Sequence, residues 1–191
     1  MKAAIFYATR EGQTRKIAKY IAHALDSYGI EATLCDVRAL HTPIAWGEYS
    51  MAWVAASVHA GRHEREMVRF ARRYRSELQG IGAVFVSVTL SEAGAEDMVA
   101  PARRREASAR DAQRMIDAFV KTTGWKPAWS FPVAGALAYS QYNWLVRRVM
   151  VWIARQHGAS TDTSVDHEFT DWRRLDRYVG DVVAVTRASR A

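Results

Sequence analysis

Residues 9–14, TREGQT, place two hydroxyls, a glycine and an arginine where a short apolar run, AAIFYA (3–8), gives way to helically spaced apolar residues. A loop at such a junction aims backbone N–H groups and the positive end of a helix at one point, which makes it an anion site. Thr9 and Thr14 can donate to phosphate oxygens, Gly12 allows close backbone approach, and Arg10 adds charge. A Walker loop requires a GxxxxGK run followed by Ser or Thr, and a dinucleotide fingerprint requires GxGxxG. Neither occurs, so a phosphate monoester fits better than a pyrophosphate. The competing account is an ordinary strand-to-helix loop whose threonine serves as an N-cap with no ligand.

Other chemistries lack their residues. His59, His63, His157 and His167 do not fall at metal-ligand spacing, and HExxH and paired cysteines are missing, so no metal is expected. Ser-His-Asp catalysis has no recognisable nucleophile elbow. Cys35 is the only cysteine and lies in an apolar alternating run, which excludes a disulfide framework and implies a reducing compartment.

The elements that must position TREGQT follow from periodicity. AAIFYA reads as a buried strand, and Ile17, Ile21, Leu25 and Tyr28 then recur at helical spacing up to Gly29. EATLCDV (31–37), YSMAWVAAS (49–57), GAVFVSVTL (82–90) and SFPVAGAL (130–137) read as further strands. Helices are expected at 62–78, near 107–122 after an arginine-rich loop containing Pro101 and Arg103–Arg105, and near 171–187. This alternation predicts a single α/β domain over 1–191, a doubly wound five-stranded parallel sheet of order 2-1-3-4-5. Ligands then bind beyond the carboxyl ends of strands one, three and four, at TREGQT, SVHAGRH and SVTLSEAG. The stretch 138–169, between strand five and the last helix, is an insertion on that plan.

The net charge is +7 with a pI near 9.8, and 22 of the 27 basic residues are arginine, so the surface attracts polyanions. Charge alone does not choose between nucleic acid, anionic lipid and an acidic small molecule, but no nucleic-acid-binding motif is present and none is expected as a partner. No signal-peptide pattern opens the chain and no run of about 20 apolar residues occurs, so a cytosolic or peripherally membrane-bound protein is expected.

Two segments concentrate the charge. In 62–78, Arg62, Arg65, Arg69, Arg72 and Arg73 share a helical face, either solvated with Glu64 and Glu66 as partial partners or binding anions. In 144–155, Arg147, Arg148 and Arg155 cluster on one side while Leu145, Val146, Val149, Met150, Trp152 and Ile153 occupy much of the rest. Such a helix lies in a membrane interface or packs on the domain as an extra core helix. Tyr139, Tyr142, Asn143 and Trp144 precede it and can line a pocket or simply pack.

TREGQT followed by RKIAKYIA resembles the FMN-phosphate loop of flavodoxins. The combination of TREGQT, AASVHAGRH, SVTL, GWKPAW, AGALAYSQYNW and TDTSVDHEFTDW resembles the menaquinone-dependent protoporphyrinogen dehydrogenase family of bacterial heme synthesis, over nearly the whole chain and through the insertion. The resemblance implies a flavodoxin-like fold, bound FMN, oxidation of protoporphyrinogen IX to protoporphyrin IX, and electrons passed to menaquinone or another quinone. It further implies a position on the cytoplasmic face of the inner membrane, reached through about 141–157.

Carried over by position, it assigns Thr9, Arg10, Glu11, Gly12, Gln13 and Thr14 to the FMN phosphate. Ser57, Val58, His59, Ala60 and Gly61 would flank one side of the flavin ring, with Ser87, Val88, Thr89 and Leu90 beginning the other. Flavodoxins commonly stack aromatics on the ring, yet 87–101 contains none, and His59 is the nearest planar side chain. No proton acceptor is assigned. The alternative within the same fold is a soluble FMN electron carrier.

Overall fold

A computed structural model of the chain describes residues 1–137 and 166–189. In chain order its elements are β1 (Lys2–Ala8), α1 (Gln13–Ser27), β2 (Glu31–Asp36), β3 (Met51–His59), β4 (Arg62–His63), α2 (Arg65–Arg73), α3 (Arg75–Gly80), β5 (Val84–Thr89), α4 (Leu90–Glu96), α5 (Ala102–Thr123), β6 (Trp129–Ala134), β7 (Ala136–Leu137), β8 (His167–Glu168) and α6 (Trp172–Ala188). The five long strands pair in parallel in the order β2-β1-β3-β5-β6. Counted among long strands alone, this is the expected order 2-1-3-4-5. β4 is an antiparallel stub on the end of β3.

Period-two alternation along buried strands sends successive side chains to opposite faces. Ile5, Trp53 and Val86 pack with Ile17 and Ile21 of α1 and Val179 of α6, while Phe6, Val54 and Phe85 pack with Phe70 of α2 and Phe119 of α5. Both faces are covered, which is why β1, β3 and β5 are apolar throughout. Each large side chain taken fully out of water contributes about 1.5–3 kcal/mol, so these two layers hold the strand ends in fixed positions. All the loops discussed above leave from those ends.

Three expectations need correction. The basic segment 62–78 is not one helix: Arg62 and His63 form β4, and the rest is divided at Tyr74 into α2 and α3. Tyr74 packs its ring on Phe70 and Trp46 at centroid separations of 5.0 and 5.4 Å. The arginine-rich loop after Pro101 is helical, because α5 begins at Ala102 and includes Arg103–Arg105. Proline's missing N–H costs nothing at a helix start. α4 was not anticipated; Thr89 caps it by accepting from Ser91 N–H at 3.2 Å.

β7 and β8 pair antiparallel, Ala136 with Glu168 and Leu137 with His167, and so close the base of the insertion at the carboxyl edge of β6. The expectations for Tyr139, Tyr142, Asn143, Trp144, Arg147, Arg148, Arg155 and the segment 141–157 fall outside the described residues.

Candidate functional site

The chain leaves β1 at Thr9, whose Oγ1 accepts from Gly12 N–H at 3.0 Å. Gly12 has φ 90°, a left-handed conformation that favours glycine, and the turn it makes opens directly into α1. Arg38 donates to the Thr9 carbonyl from the loop after β2. On the far side, Gln13 Nε2 donates to Thr170 Oγ1 at 2.8 Å, and Thr170 in turn donates to the Ala134 carbonyl at 2.7 Å. The first loop is thereby tied to the loop after β2 and, through Thr170, to the end of β6.

α1 has no side-chain cap and no acidic residue in its first turn. The first N–H groups of a helix have no intrahelical partner, so this end presents donors to whatever lies in front of it. Thr14 is fully buried and its Oγ1 has no hydrogen-bond partner. A buried hydroxyl left unpaired is costly, and the ligand that satisfies it is an acceptor lying at the helix end.

That space is a cleft of about 50 Å³, walled by Thr9, Glu11, Gln13 and Thr14 from the first loop, Ser57, Val58 and His59 from β3, and Val88, Thr89 and Leu90 from β5. Gly135 and Ala136 complete it. Parallel pairing of Ser57 with Val88 and of Thr89 with Ala134 brings these three strand ends together. Ten of the fifteen residues picked out from the sequence therefore line one cleft. Gly12 shapes its turn.

The other four face elsewhere. Ser87 is fully buried and its Oγ lies 2.8 Å from His63 Nε2, on the far side of β5. Arg10, Ala60 and Gly61 line a second cleft. Ala60 and Gly61, with φ 48° and 73°, make the two-residue turn between paired His59 and Arg62, a turn whose central residues both need positive φ.

Glu64 was read as a partner on a solvated face, and the structure corrects this. Its side chain is 3% exposed, with Arg10 Nε 2.9 Å from Oε1, His59 Nε2 3.2 Å from the same oxygen, and Ser57 Oγ donating from 3.5 Å. The His59 contact has ion-pair distance without hydrogen-bond alignment. On its other side His59 Nδ1 is 4.0 Å from Glu11 Oε1. The ring thus stands between two carboxylates in the wall shared by the two clefts.

Three functional candidates escaped sequence reasoning. Glu64 gave no signal, since burial distinguishes it from Glu66 only after the β3–β4 hairpin turns it inward. Gly135 and Ala136 had one: a glycine closing the last strand, where Gly135 N–H donates to the Thr89 carbonyl at 3.2 Å.

A parallel sheet with a glycine turn and an uncapped helix end at its switch point defines a mononucleotide-binding, doubly wound α/β domain. The chain belongs to the flavodoxin domain family, which matches residues 4–164. The cofactor of a flavodoxin domain is FMN, and the unpaired Thr14 hydroxyl in front of α1 fits its phosphate. Among curated proteins the chain is similar to protoporphyrinogen IX dehydrogenase (quinone) of Escherichia coli strain K12, 28% identical over 186 residues that cover 97% of each chain. It is also 24% identical to the Leishmania major protein of the same name, covering 98% of this chain and 77% of that one. Among solved structures, a short-chain flavodoxin associated with a bacterial microcompartment superposes with TM-score 0.58 at 14% identity, covering 97% and 99% of the two chains. That likeness shows the fold.

Among the described residues no helix is long and apolar enough to cross a membrane.

Proposed function

We propose that this chain is an FMN-dependent oxidoreductase that removes hydrogen from protoporphyrinogen IX, giving protoporphyrin IX, and passes the electrons to menaquinone or another quinone. The observation that carries this reading is the extent of the match to the Escherichia coli dehydrogenase, which runs over 97% of both chains.

Bound FMN would accept the hydrogen equivalents from the tetrapyrrole and release them to the quinone. The residues assigned to it act by position. Thr9, Gly12, Thr14 and the first turn of α1 hold the phosphate through hydroxyl and backbone donors, with no metal. The cleft in front of them encloses about 50 Å³, room for a group of phosphate size, so the flavin ring would lie against the walls at 57–59 and 88–90. His59 stands in the wall of this cleft with Glu11 and Glu64 on either side, which puts two carboxylates beside the place proposed for the ring.

A quinone is a membrane-soluble acceptor, and the sequence of 141–157 combines arginines with tryptophans and aliphatics as an interfacial segment does. Its base at β7 and β8 adjoins the cofactor cleft through Ala136. We place this segment on the anionic cytoplasmic face of the inner membrane, with quinone delivered beside it.

The test is an anaerobic assay of purified, FMN-loaded protein with protoporphyrinogen IX and a menaquinone analogue. Fluorescent protoporphyrin forming faster than in the enzyme-free control supports the reading. Flavin that exchanges electrons only with a protein partner makes the chain a carrier and overturns it.

A further inference from the structure

The second cleft is much larger than the first, about 990 Å³, and lies between the β3–β4 hairpin, α2 and α5. This is at the upper end of the range for small-molecule pockets. Its two kinds of wall are distinct. One carries the guanidinium groups of Arg10, Arg62, Arg65 and Arg69, with no acidic side chain among the lining residues; the other is an apolar floor of Val68, Met115, Ala118 and Phe119.

The arginines are not consumed by ion pairs. Only Arg10 is firmly held, by Glu64. Arg69 reaches Glu66 at 3.5 Å with its side chain 76% exposed, a contact worth little in water. Among the described residues Arg62 and Arg65 have no carboxylate within ion-pair distance, and both are exposed. Unpaired guanidinium forks beside an apolar floor match a ligand with a broad apolar body and at least two carboxylates at its edge. His59 stands in the wall between this cleft and the cofactor cleft, so such a ligand lies next to the cofactor.

We infer that this arginine cleft is the substrate subsite, in which Arg62 and Arg65 bind the propionate carboxylates of the tetrapyrrole while its macrocycle lies over Met115 and Ala118. The inference rests on the function proposed above and adds where and by which groups the substrate is held. Phosphate of a lipid headgroup is the other anion these arginines suit. The two sources differ in what the arginines control, turnover or vesicle binding.

The experiment compares wild type with the Arg62→Ala/Arg65→Ala double variant, each FMN-loaded, using protoporphyrinogen IX and its dimethyl ester in the same detergent. For the free acid, the variant's KM rises about tenfold or more with kcat held within about twofold, the signature of lost ground-state binding. For the diester, wild type and variant have similar KM, both near that of the variant with the free acid. Arg65→Lys, which keeps charge but loses the fork, falls between. The wild-type comparison of acid and diester gives the same answer should the double variant fail to fold.

Equal KM for acid and diester in wild type overturns the inference and leaves the dehydrogenase reading standing. Loss of binding to anionic phosphatidylglycerol vesicles with KM unchanged also overturns it and assigns the arginines to lipid. A wild type that turns over neither substrate removes both.

Discussion

Arg10 Nε lies 2.9 Å from Glu64 Oε1, joining the loop after β1 to the hairpin after β3 across 54 positions of sequence. Glu64 is nearly inaccessible, Arg10 is 60% exposed, and His59 stands 3.2 Å from the same oxygen. One carboxylate therefore sets the spacing of two of the three loops that form the cofactor cleft.

Removing that carboxylate leaves a guanidinium and an imidazole without their shared anion. Glu64→Ala is expected to lower the unfolding free energy by about 1–3 kcal/mol, the lower figure reflecting Arg10's access to water, and to weaken FMN binding. Glu64→Gln retains hydrogen-bonding capacity and loses less. Urea denaturation with and without FMN measures both; an unchanged midpoint in Glu64→Ala would show that the junction holds nothing.

Thr14→Val replaces the unpaired hydroxyl with a methyl of similar size. In the apoprotein the buried polar atom disappears, so stability stays level or rises. FMN affinity falls by about 10- to 100-fold, the loss of one hydrogen bond to a charged group. Titration by quenching of flavin fluorescence reads the affinity. Equal affinity in both proteins would place the phosphate away from Thr14.

His63 is pushed down to about 4 by burial, with its ring edge-on to Phe119 at 5.0 Å and its Nε2 2.8 Å from Ser87 Oγ. The folded protein keeps the ring neutral where the unfolded chain, with an ordinary value of 6.5, takes up a proton. The unfolded state thus binds more protons between pH 6.5 and 4, and stability is lost as pH falls through that window, by at most about 3 kcal/mol. The urea midpoint of wild type should fall more steeply over this window than that of His63→Gln. Parallel pH profiles would contradict a buried neutral His63.

The segment 141–157 is tested by its removal. A deletion of these residues is expected to abolish sedimentation with anionic liposomes while leaving FMN content unchanged. Liposome binding that survives the deletion would assign membrane affinity to another surface.

The sheet order and most elements were legible because burial on both faces leaves its mark on every strand, as in AAIFYA and VFVSVT, and because Gly29 and Gly124 mark helix stops. The first loop was legible for a related reason: a glycine between two threonines at a strand end has few uses. Residues whose roles depend on rotation of a short element were not. Arg62 and Glu64 read as helix-face residues, yet the turn at Ala60–Gly61 places one in a strand and buries the other. Ser87 sat at the correct strand end, but the alternation of β5 turns it to His63 while Val88 faces the cleft. The division at Tyr74 came from tertiary packing on Trp46, 28 positions away, which no local pattern records.

The most direct measurement is a single anaerobic mixing of FMN-loaded protein with protoporphyrinogen IX in the absence of quinone, followed by addition of a menaquinone analogue. The account predicts that visible flavin absorbance bleaches on mixing, and that it returns as protoporphyrin fluorescence grows once quinone is added, because full oxidation of the tetrapyrrole takes several rounds of flavin reduction. Flavin that stays oxidised in the presence of protoporphyrinogen IX would contradict it.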